Sequence, residues 1–285
     1  MKRKILIISN RGFIGKSLYE NLKNEKKNII YGLNSDNCNL LDLSISKKKL
    51  KKITNDKISI IFLSTFGRFP NDDFRVYEKN VTMITNFLKS INHQNLEQLI
   101  FFSSTCVYGR PPLKKKITES SEYSHNSFYG FSKYVSENLL KLTIKCPLTI
   151  IRVPGVYGLY DNNKSIITNL IDRIKKKKLI KLYDSGKALR DYVHVNDIIE
   201  IVKICLNKKN SNIFNFATGK SYKISKIINL IEKKINKKSK LDKIKTGHKQ
   251  FDMIFNINNF KKIFPKFKIT HLSSGLDSLI KTKYE

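Results

Sequence analysis

The sequence predicts an α/β protein built on a doubly wound parallel sheet, followed by a smaller C-terminal lobe. Two observations predict it. Short apolar, β-branched runs alternate with longer amphipathic stretches through the first half, and a glycine-containing turn joins the first run to the first amphipathic stretch. Continuous apolar strands separated by helices are the pattern of βαβ units whose sheet is covered on both faces.

Taken in order, strands are expected at 4–9, 28–33, 58–63, 99–103 and 148–153, with helices between them at 13–24, 44–52, 74–91 and 129–145. In the third helix Val81, Ile84, Phe87, Leu88 and Ile91 keep the 3.6-residue period. Right-handed crossovers then put the ligand crevice at the carboxyl ends of the strands. Beyond Val153 the rhythm changes, to helices at 165–176, 195–207 and 223–236, strands at 179–183 and 212–216, and helical ends near 257–264 and 272–283. The Lys-rich stretch 233–247 reads as connection within the smaller lobe.

Composition narrows the class. The 285 residues include 55 Lys and Arg against 23 Asp and Glu, a formal charge of +32. A polyanion partner is the direct reading of such a field. However, 47 of the basic residues are lysine, spread over 47–52, 114–116, 175–178 and 233–243 among many Asn and Ile. Nucleic-acid sites favour the arginine fork, so the charge reads as a solvated basic surface, and nucleic acid is not the expected partner. The longest apolar runs, such as Ile60-Ile61-Phe62-Leu63, are too short to span a bilayer, and no membrane association is expected. Ile5-Leu6-Ile7-Ile8 after Met1-Lys2-Arg3-Lys4 is too short for a secretion signal. Cys38, Cys106, Cys146 and Cys205 form no C-x-x-C pair. Neither a disulfide framework nor a metal site is expected, and a cytoplasmic location fits.

The first strand runs into Ser9-Asn10-Arg11-Gly12-Phe13-Ile14-Gly15, with Ser9 in the first place of a G-x-x-G-x-x-G spacing. Glycines there let the backbone approach a pyrophosphate resting on the helix N-terminus, the signature of a Rossmann-type dinucleotide fold. Asp42-Leu43 follows the second strand; Asp42 suits either an adenine amino group or the cap of the next helix. Asn34-Ser35 replaces the acidic residue that would hold a ribose 2′-hydroxyl, and Arg11 inside the turn suits a 2′-phosphate. NADP is therefore expected at least as much as NAD.

Tyr129-Gly130-Phe131-Ser132-Lys133 places a phenol and an ammonium on one helix face. A phenol titrating near 10 is a poor base at neutral pH, and the lysine is expected to lower it. Ser103-Ser104-Thr105-Cys106-Val107-Tyr108-Gly109 closes the preceding strand with hydroxyls at its carboxyl end. Together these make a hydride-transfer site.

With these motifs the sequence resembles the extended short-chain dehydrogenases/reductases that act on nucleotide sugars, over nearly the whole chain from Ile5 to Ile280. Arg152-Val153-Pro154-Gly155-Val156-Tyr157-Gly158, Asn80-Val81 and Asn215-Phe216-Ala217-Thr218-Gly219 also match, and Arg190-Asp191-Tyr192-Val193-His194-Val195-Asn196-Asp197 is the most specific piece. The resemblance implies Ser104, Tyr129 and Lys133 as catalytic residues. It places Ser9, Arg11, Gly12, Phe13, Ile14, Asp42, Leu43, Leu63, Ser64, Thr65 and Pro154 at the dinucleotide, together with Tyr129 and Lys133. Thr105, Arg190 and Lys249 are implied at the substrate, with Arg190 on a diphosphate. His194 is read as a packed, structural residue. The implied division is a dinucleotide-binding domain over 1–153, rejoined by about 184–207, and a substrate-binding lobe over 154–183 and 208–285.

Departures narrow the chemistry. Thr105-Cys106 stands where sugar 4,6-dehydratases carry Asp-Glu, so dehydration is not expected. Gly155 replaces an asparagine that contacts substrate phosphates in many relatives, and Lys249 replaces an arginine. Asn10-Arg11-Gly12 and Ser104-Thr105-Cys106 are also similar to the NADP-dependent GDP-fucose synthases, whose partner histidine has no counterpart in 159–165. The expected activity is NAD(P)-dependent 4-epimerisation of a nucleotide-diphosphate sugar, with NADPH-dependent reduction of a 4-keto-6-deoxy nucleotide sugar as the alternative. A non-catalytic RNA-binding protein on the same fold is the reading of a different class. A homodimer through the helices at 74–91 and 129–145 is implied by the resemblance alone.

Overall fold

The computed structural model describes residues 2–68, 70–111, 115–123, 126–162, 165–247 and 251–284. In chain order the elements are β1 (Arg3–Ile8), α1 (Phe13–Lys23), β2 (Asn28–Leu33), α2 (Leu43–Ile53), β3 (Ile58–Phe62), α3 (Phe74–Ser90), β4 (Leu96–Ser104), α4 (Phe128–Thr143) and β5 (Leu148–Val153). They continue with β6 (Gly155–Tyr157), α5 (Ile166–Lys175), β7 (Leu179–Tyr183), β8 (Leu189–Arg190), β9 (Tyr192–His194), α6 (Val195–Lys208) and β10 (Asn212–Asn215). The chain ends with β11 (Tyr222–Lys223), α7 (Ile224–Ile235), β12 (Lys240–Ile244), α8 (Asn258–Ile263) and α9 (Leu272–Tyr284). Two compact units form, one from Met1–Gly109, Glu122–Arg152 and Ile199–Phe214, the other from Arg110–Ser121, Val153–Ile198 and Asn215–Glu285.

The first unit is built on a six-stranded sheet in the order β10-β5-β4-β3-β1-β2. β1 pairs in parallel with β2 and β3, and β3 pairs in parallel with β4. Every residue of β3 and β5 is buried, as a sheet covered on both faces requires. Leu6, Ile60, Phe62, Phe87, Phe101 and Ile150 belong to one core under α2, α3 and α4. The strand order reverses at β1, so the crevice lies outside the carboxyl ends of β1 and β3. The doubly wound α/β fold read from the sequence is the observed one.

One charged pair sits inside this unit. Arg152 on β5 and Glu137 on α4 have fully buried side chains joined at 2.6 Å. Arg152 Nε also donates to Glu137 Oε1 (3.0 Å), and Arg152 Nη1 donates to the Tyr108 hydroxyl (2.7 Å). Its Nη2 donates to the Tyr123 hydroxyl, and Ser103 Oγ on β4 donates to Glu137, each at 2.5 Å. Burial alone would lower the arginine's pKa; Glu137 and Tyr108 instead hold it above its ordinary value.

In the second unit β6 pairs in parallel with β9, β7 with β12, and β8 antiparallel with β11. Ile167, Ile171, Ile174, Ile227, Ile231 and Leu276 share a core carried by α5, α7 and α9. β12 was not expected: its stretch reads as Lys-rich connection, because Lys240-Leu241-Asp242-Lys243-Ile244 has no period-2 alternation. Backbone pairing with β7 makes it a strand. No helix among the described residues is long and apolar enough to cross a membrane.

Replacing Arg152 by Leu leaves Glu137 buried without its cation and is expected to cost about 3–5 kcal/mol of unfolding free energy in urea. The Glu137→Leu/Arg152→Leu double variant is expected to recover part of that loss; a double variant less stable than the single one would contradict the argument.

Candidate active site

The turn after β1 is shaped by close backbone approach. Ser9 sits at φ +75°, and its N–H donates to the Leu33 carbonyl at the end of β2 (2.6 Å). A Cβ on Gly15 would lie 2.0 Å from the Ser9 carbonyl oxygen, so α1 can start against the strand end only with glycine there. Gly12 is the N-cap of α1 and supplies no side-chain cap; the first turn holds no acidic residue. The uncapped N–H groups at that end fit the pyrophosphate of a dinucleotide. Phe13 and Ile14 open the helix half-buried.

Arg11 is exposed and paired with Asp36, beyond the end of β2. Asn34 arranges this corner by accepting from the Asp36 N–H (2.9 Å) and donating to Asn10 Oδ1 (3.2 Å). The acid missing at Asn34 is thus present two residues later, where reading the strand end alone does not find it. Asp42 caps α2, its Oδ1 accepting from the Ile45 N–H at 2.9 Å, and Leu43 is that helix's first residue. Of the two readings of Asp42, the cap has a partner in the structure.

Leu63, Ser64 and Thr65 follow β3. The buried Asn80 of α3 pins this segment, Oδ1 accepting from the Phe66 N–H (2.7 Å) and Nδ2 donating to the Phe66 carbonyl (3.1 Å). Thr65 Oγ1 donates to Asn80 Oδ1 at 3.2 Å.

Ser104 ends β4, and its Oγ accepts from the Cys106 N–H (3.1 Å), capping a short turn over Thr105–Tyr108. Thr105 is buried in that turn. A Cβ on Gly130 would lie 2.3 Å from the Cys106 carbonyl oxygen, so α4 rests directly on the turn. The start of α4 is held by Ser127, which accepts from the Gly130 N–H (3.1 Å), and by Asp72, which accepts from Ser127 Oγ (2.6 Å) and the Tyr129 N–H (2.8 Å). Lys133, one turn on, donates from Nζ to the Phe102 carbonyl (3.1 Å), with Nζ 5.9 Å from the Tyr129 ring centre. Ser104, Tyr129 and Lys133 are therefore brought together at the carboxyl end of β4. Arg68 Nη1 donates to Cys106 Sγ beside them at 3.5 Å.

Electrostatics at this site differ from the expectation. Burial, with Cys106 adding to it, pushes the Tyr129 phenol up to about 12. Hydrogen bonding with Thr65 and Ser104 and the charge of Arg68 pull the other way and lose. Burial also takes Lys133 down to about 8, against the opposing pull of Glu137. The lysine alone does not make the tyrosine acidic, because desolvation outweighs a cation at this distance. Arg68, Asp72 and Asp36 are the site residues whose part is visible only in three dimensions.

In the second unit Arg190 donates from Nη1 to the carbonyls of Leu189 (2.8 Å) and Phe251 (2.7 Å), its guanidinium 4.6 Å from the Phe251 ring centre. Asp191 accepts from Thr218 and from the Gly219 N–H (2.9 Å), which explains the Thr-Gly turn. Pro154 follows β5, half-buried. A Cβ on Gly155 would lie 2.6 Å from the Tyr192 ring, so any side chain at 155 requires that ring to shift. Buried His194 accepts through Nδ1 from the Asn196 N–H (3.3 Å). Lys249 lies outside the described residues. No cluster of three metal-ligating side chains occurs among the described residues.

The family model described as "NAD dependent epimerase/dehydratase family" matches residues 5–224. The chain is 24% identical to the dTDP-4-dehydro-6-deoxyglucose reductase of Escherichia coli, with 99% of this chain and 98% of that protein covered. It is 25% identical to the UDP-glucose 4-epimerase of Haemophilus influenzae, with 81% and 82% covered. The solved UDP-glucuronic acid 4-epimerase from Bacillus cereus, in complex with UDP-glucuronic acid and NAD, superposes with a TM-score of 0.84 at 20% identity, covering 98% of each chain. That likeness shows a shared fold.

Two measurements check this geometry. Ser9→Gly removes a Cβ from a left-handed backbone position and is expected to raise stability by up to about 1 kcal/mol in chemical denaturation, net of the entropy of glycine. Lys133 titrates near 8 in the folded chain against an ordinary 10.5, so between these values the unfolded chain binds more protons and stability rises with pH. Lys133→Met is expected to lose that rise relative to wild type; a stability difference constant across the window would contradict it.

Proposed function

The chain belongs to the NAD dependent epimerase/dehydratase family, and from that premise we propose that it is an NAD(P)-dependent 4-epimerase of a nucleotide-diphosphate sugar, working through a transient 4-keto sugar. The observation that carries this reading is the juxtaposition of Ser104, Tyr129 and Lys133 at the carboxyl end of β4, in the unit whose β1–α1 turn fits a pyrophosphate. The turn beyond Ser104 offers Thr105 and Cys106, and no carboxylate for eliminating water from the sugar.

Tyr129 takes the proton of the sugar 4-hydroxyl and later returns it. Ser104, whose Oγ accepts from Cys106, keeps its own proton to donate to the same oxygen. Lys133, fixed by the Phe102 carbonyl, stays mostly protonated at neutral pH, favours the phenolate and holds the ribose. A bound dinucleotide would supply the hydride acceptor and donor, and its oxidised ring would place positive charge beside Tyr129, favouring the phenolate. Gly12, Phe13, Ile14, Leu63, Ser64, Thr65 and Pro154 would hold it. Thr105 and Arg190 serve the substrate, Arg190 through its diphosphate, in keeping with the guanidinium fork. The exposed Arg11–Asp36 pair opens at little cost, leaving Arg11 for a 2′-phosphate and Asp36 for a 2′-hydroxyl, so NADP stands at least level with NAD.

The second reading, an NADPH-dependent 4-keto-6-deoxy nucleotide-sugar reductase, shares every catalytic residue and is favoured by Arg11. A homodimer through α3 and α4 is supported by the exposed rings of Phe74 and Phe128, 6.2 Å apart, and by exposed Leu142.

Assays over UDP-, GDP-, CDP- and dTDP-sugars are expected to find one pair of 4-epimers equilibrated with no net change in the dinucleotide. Tyr129→Phe is expected to lower that turnover by about 10²–10⁴-fold while dinucleotide still raises the melting temperature. Stoichiometric oxidation of NADPH by a 4-keto-6-deoxy sugar would replace the epimerase with the reductase.

A further inference from the structure

A groove of about 830 Å³ opens in the first unit between α2 and the end of α3, lined by Lys47, Lys48, Lys51, Lys52, Lys89 and Ser90 among others. It adjoins the helix-to-strand connections that lead into β3 and β4, hence the amino ends of these parallel strands. The glycine turn and Ser104 lie at the opposite, carboxyl end.

The charge balance marks it as more than a solvated basic face. Lys51, Lys52 and Lys89 stand in the last turns of α2 and α3, where they complement the negative helix ends. Lys47 and Lys48 have no such role, and none of the five pairs with a carboxylate among the described residues. Five ammonium groups against two helix ends of about half a charge each leave roughly four uncompensated positive charges facing one groove. Ser90 borders the groove, but its Oγ is buried beneath the surface.

We propose that this groove binds a linear oligophosphate, as a second anion site separate from the dinucleotide turn. The ammonium groups contact successive phosphate oxygens. The lining has no aromatic ring for base stacking and no arginine fork, so a phosphate chain fits better than a nucleic acid.

The test titrates inorganic tripolyphosphate into the full chain by calorimetry, with excess NAD present to occupy the glycine turn. Lys48→Ala/Lys52→Ala is expected to weaken binding by at least about tenfold, since each charge-assisted contact is worth about that factor. Ser90→Ala, which alters only a hydroxyl buried beneath the groove, is expected to bind as wild type does. A control pair on α8, Lys261→Ala/Lys262→Ala, is expected to bind as wild type does. Equal losses in both lysine pairs, no binding of tripolyphosphate to wild type, or tighter binding of a single-stranded oligoribonucleotide through Lys48 and Lys52 would each overturn the proposal.

Discussion

The buried ion pair of Glu137 and Arg152 is the interaction on which the first unit depends. Through it β5 grips α4, Ser103 joins β4 to the same carboxylate, and Tyr108 and Tyr123 tie in the chain around the turn beyond β4. Two charges without water are tolerable only when nearly every donor and acceptor is met, and this pair meets that condition. The consequence for chemistry is positional. Glu137 lies one helical turn beyond Lys133, which lies one turn beyond Tyr129, so the network that locks the helix also sets the register of the candidate catalytic side chains.

Desolvation is the main electrostatic force at that end of the sheet. It raises the phenol and lowers the ammonium, leaving both groups closer to neutral than they would be in water. Under the proposed function, a cationic ring bound beside Tyr129 would offset that burial and favour the phenolate. Glu137 limits the opposite drift by keeping Lys133 from losing its proton altogether.

Much of this was legible in the sequence, for identifiable reasons. Buried parallel strands write themselves as unbroken apolar runs, so β1, β3, β4 and β5 stand out, and helix periodicity marks α3 and α7. β12 escaped because backbone pairing, not side-chain alternation, makes it a strand. Short strands such as β6 and β9 carry too few residues to show any period. At the candidate site, Tyr129 and Lys133 are adjacent on a helix and announce themselves. Asp36 with Arg11, Asp72 with the start of α4, and Arg68 with Cys106 are pairs between segments 25 to 57 residues apart, and no local pattern encodes such a meeting.

The tyrosine packed over Gly155 has an implication for what that position can accept. With a Cβ at 155 only 2.6 Å from the Tyr192 ring, the two positions act as one steric unit in this structure. Gly155 is exposed whereas Tyr192 is buried, so a side chain added at the surface is accommodated by a shift of a buried ring. A change at 155 is therefore felt first in the packing of β9, the strand that pairs with β6, and only then at the surface.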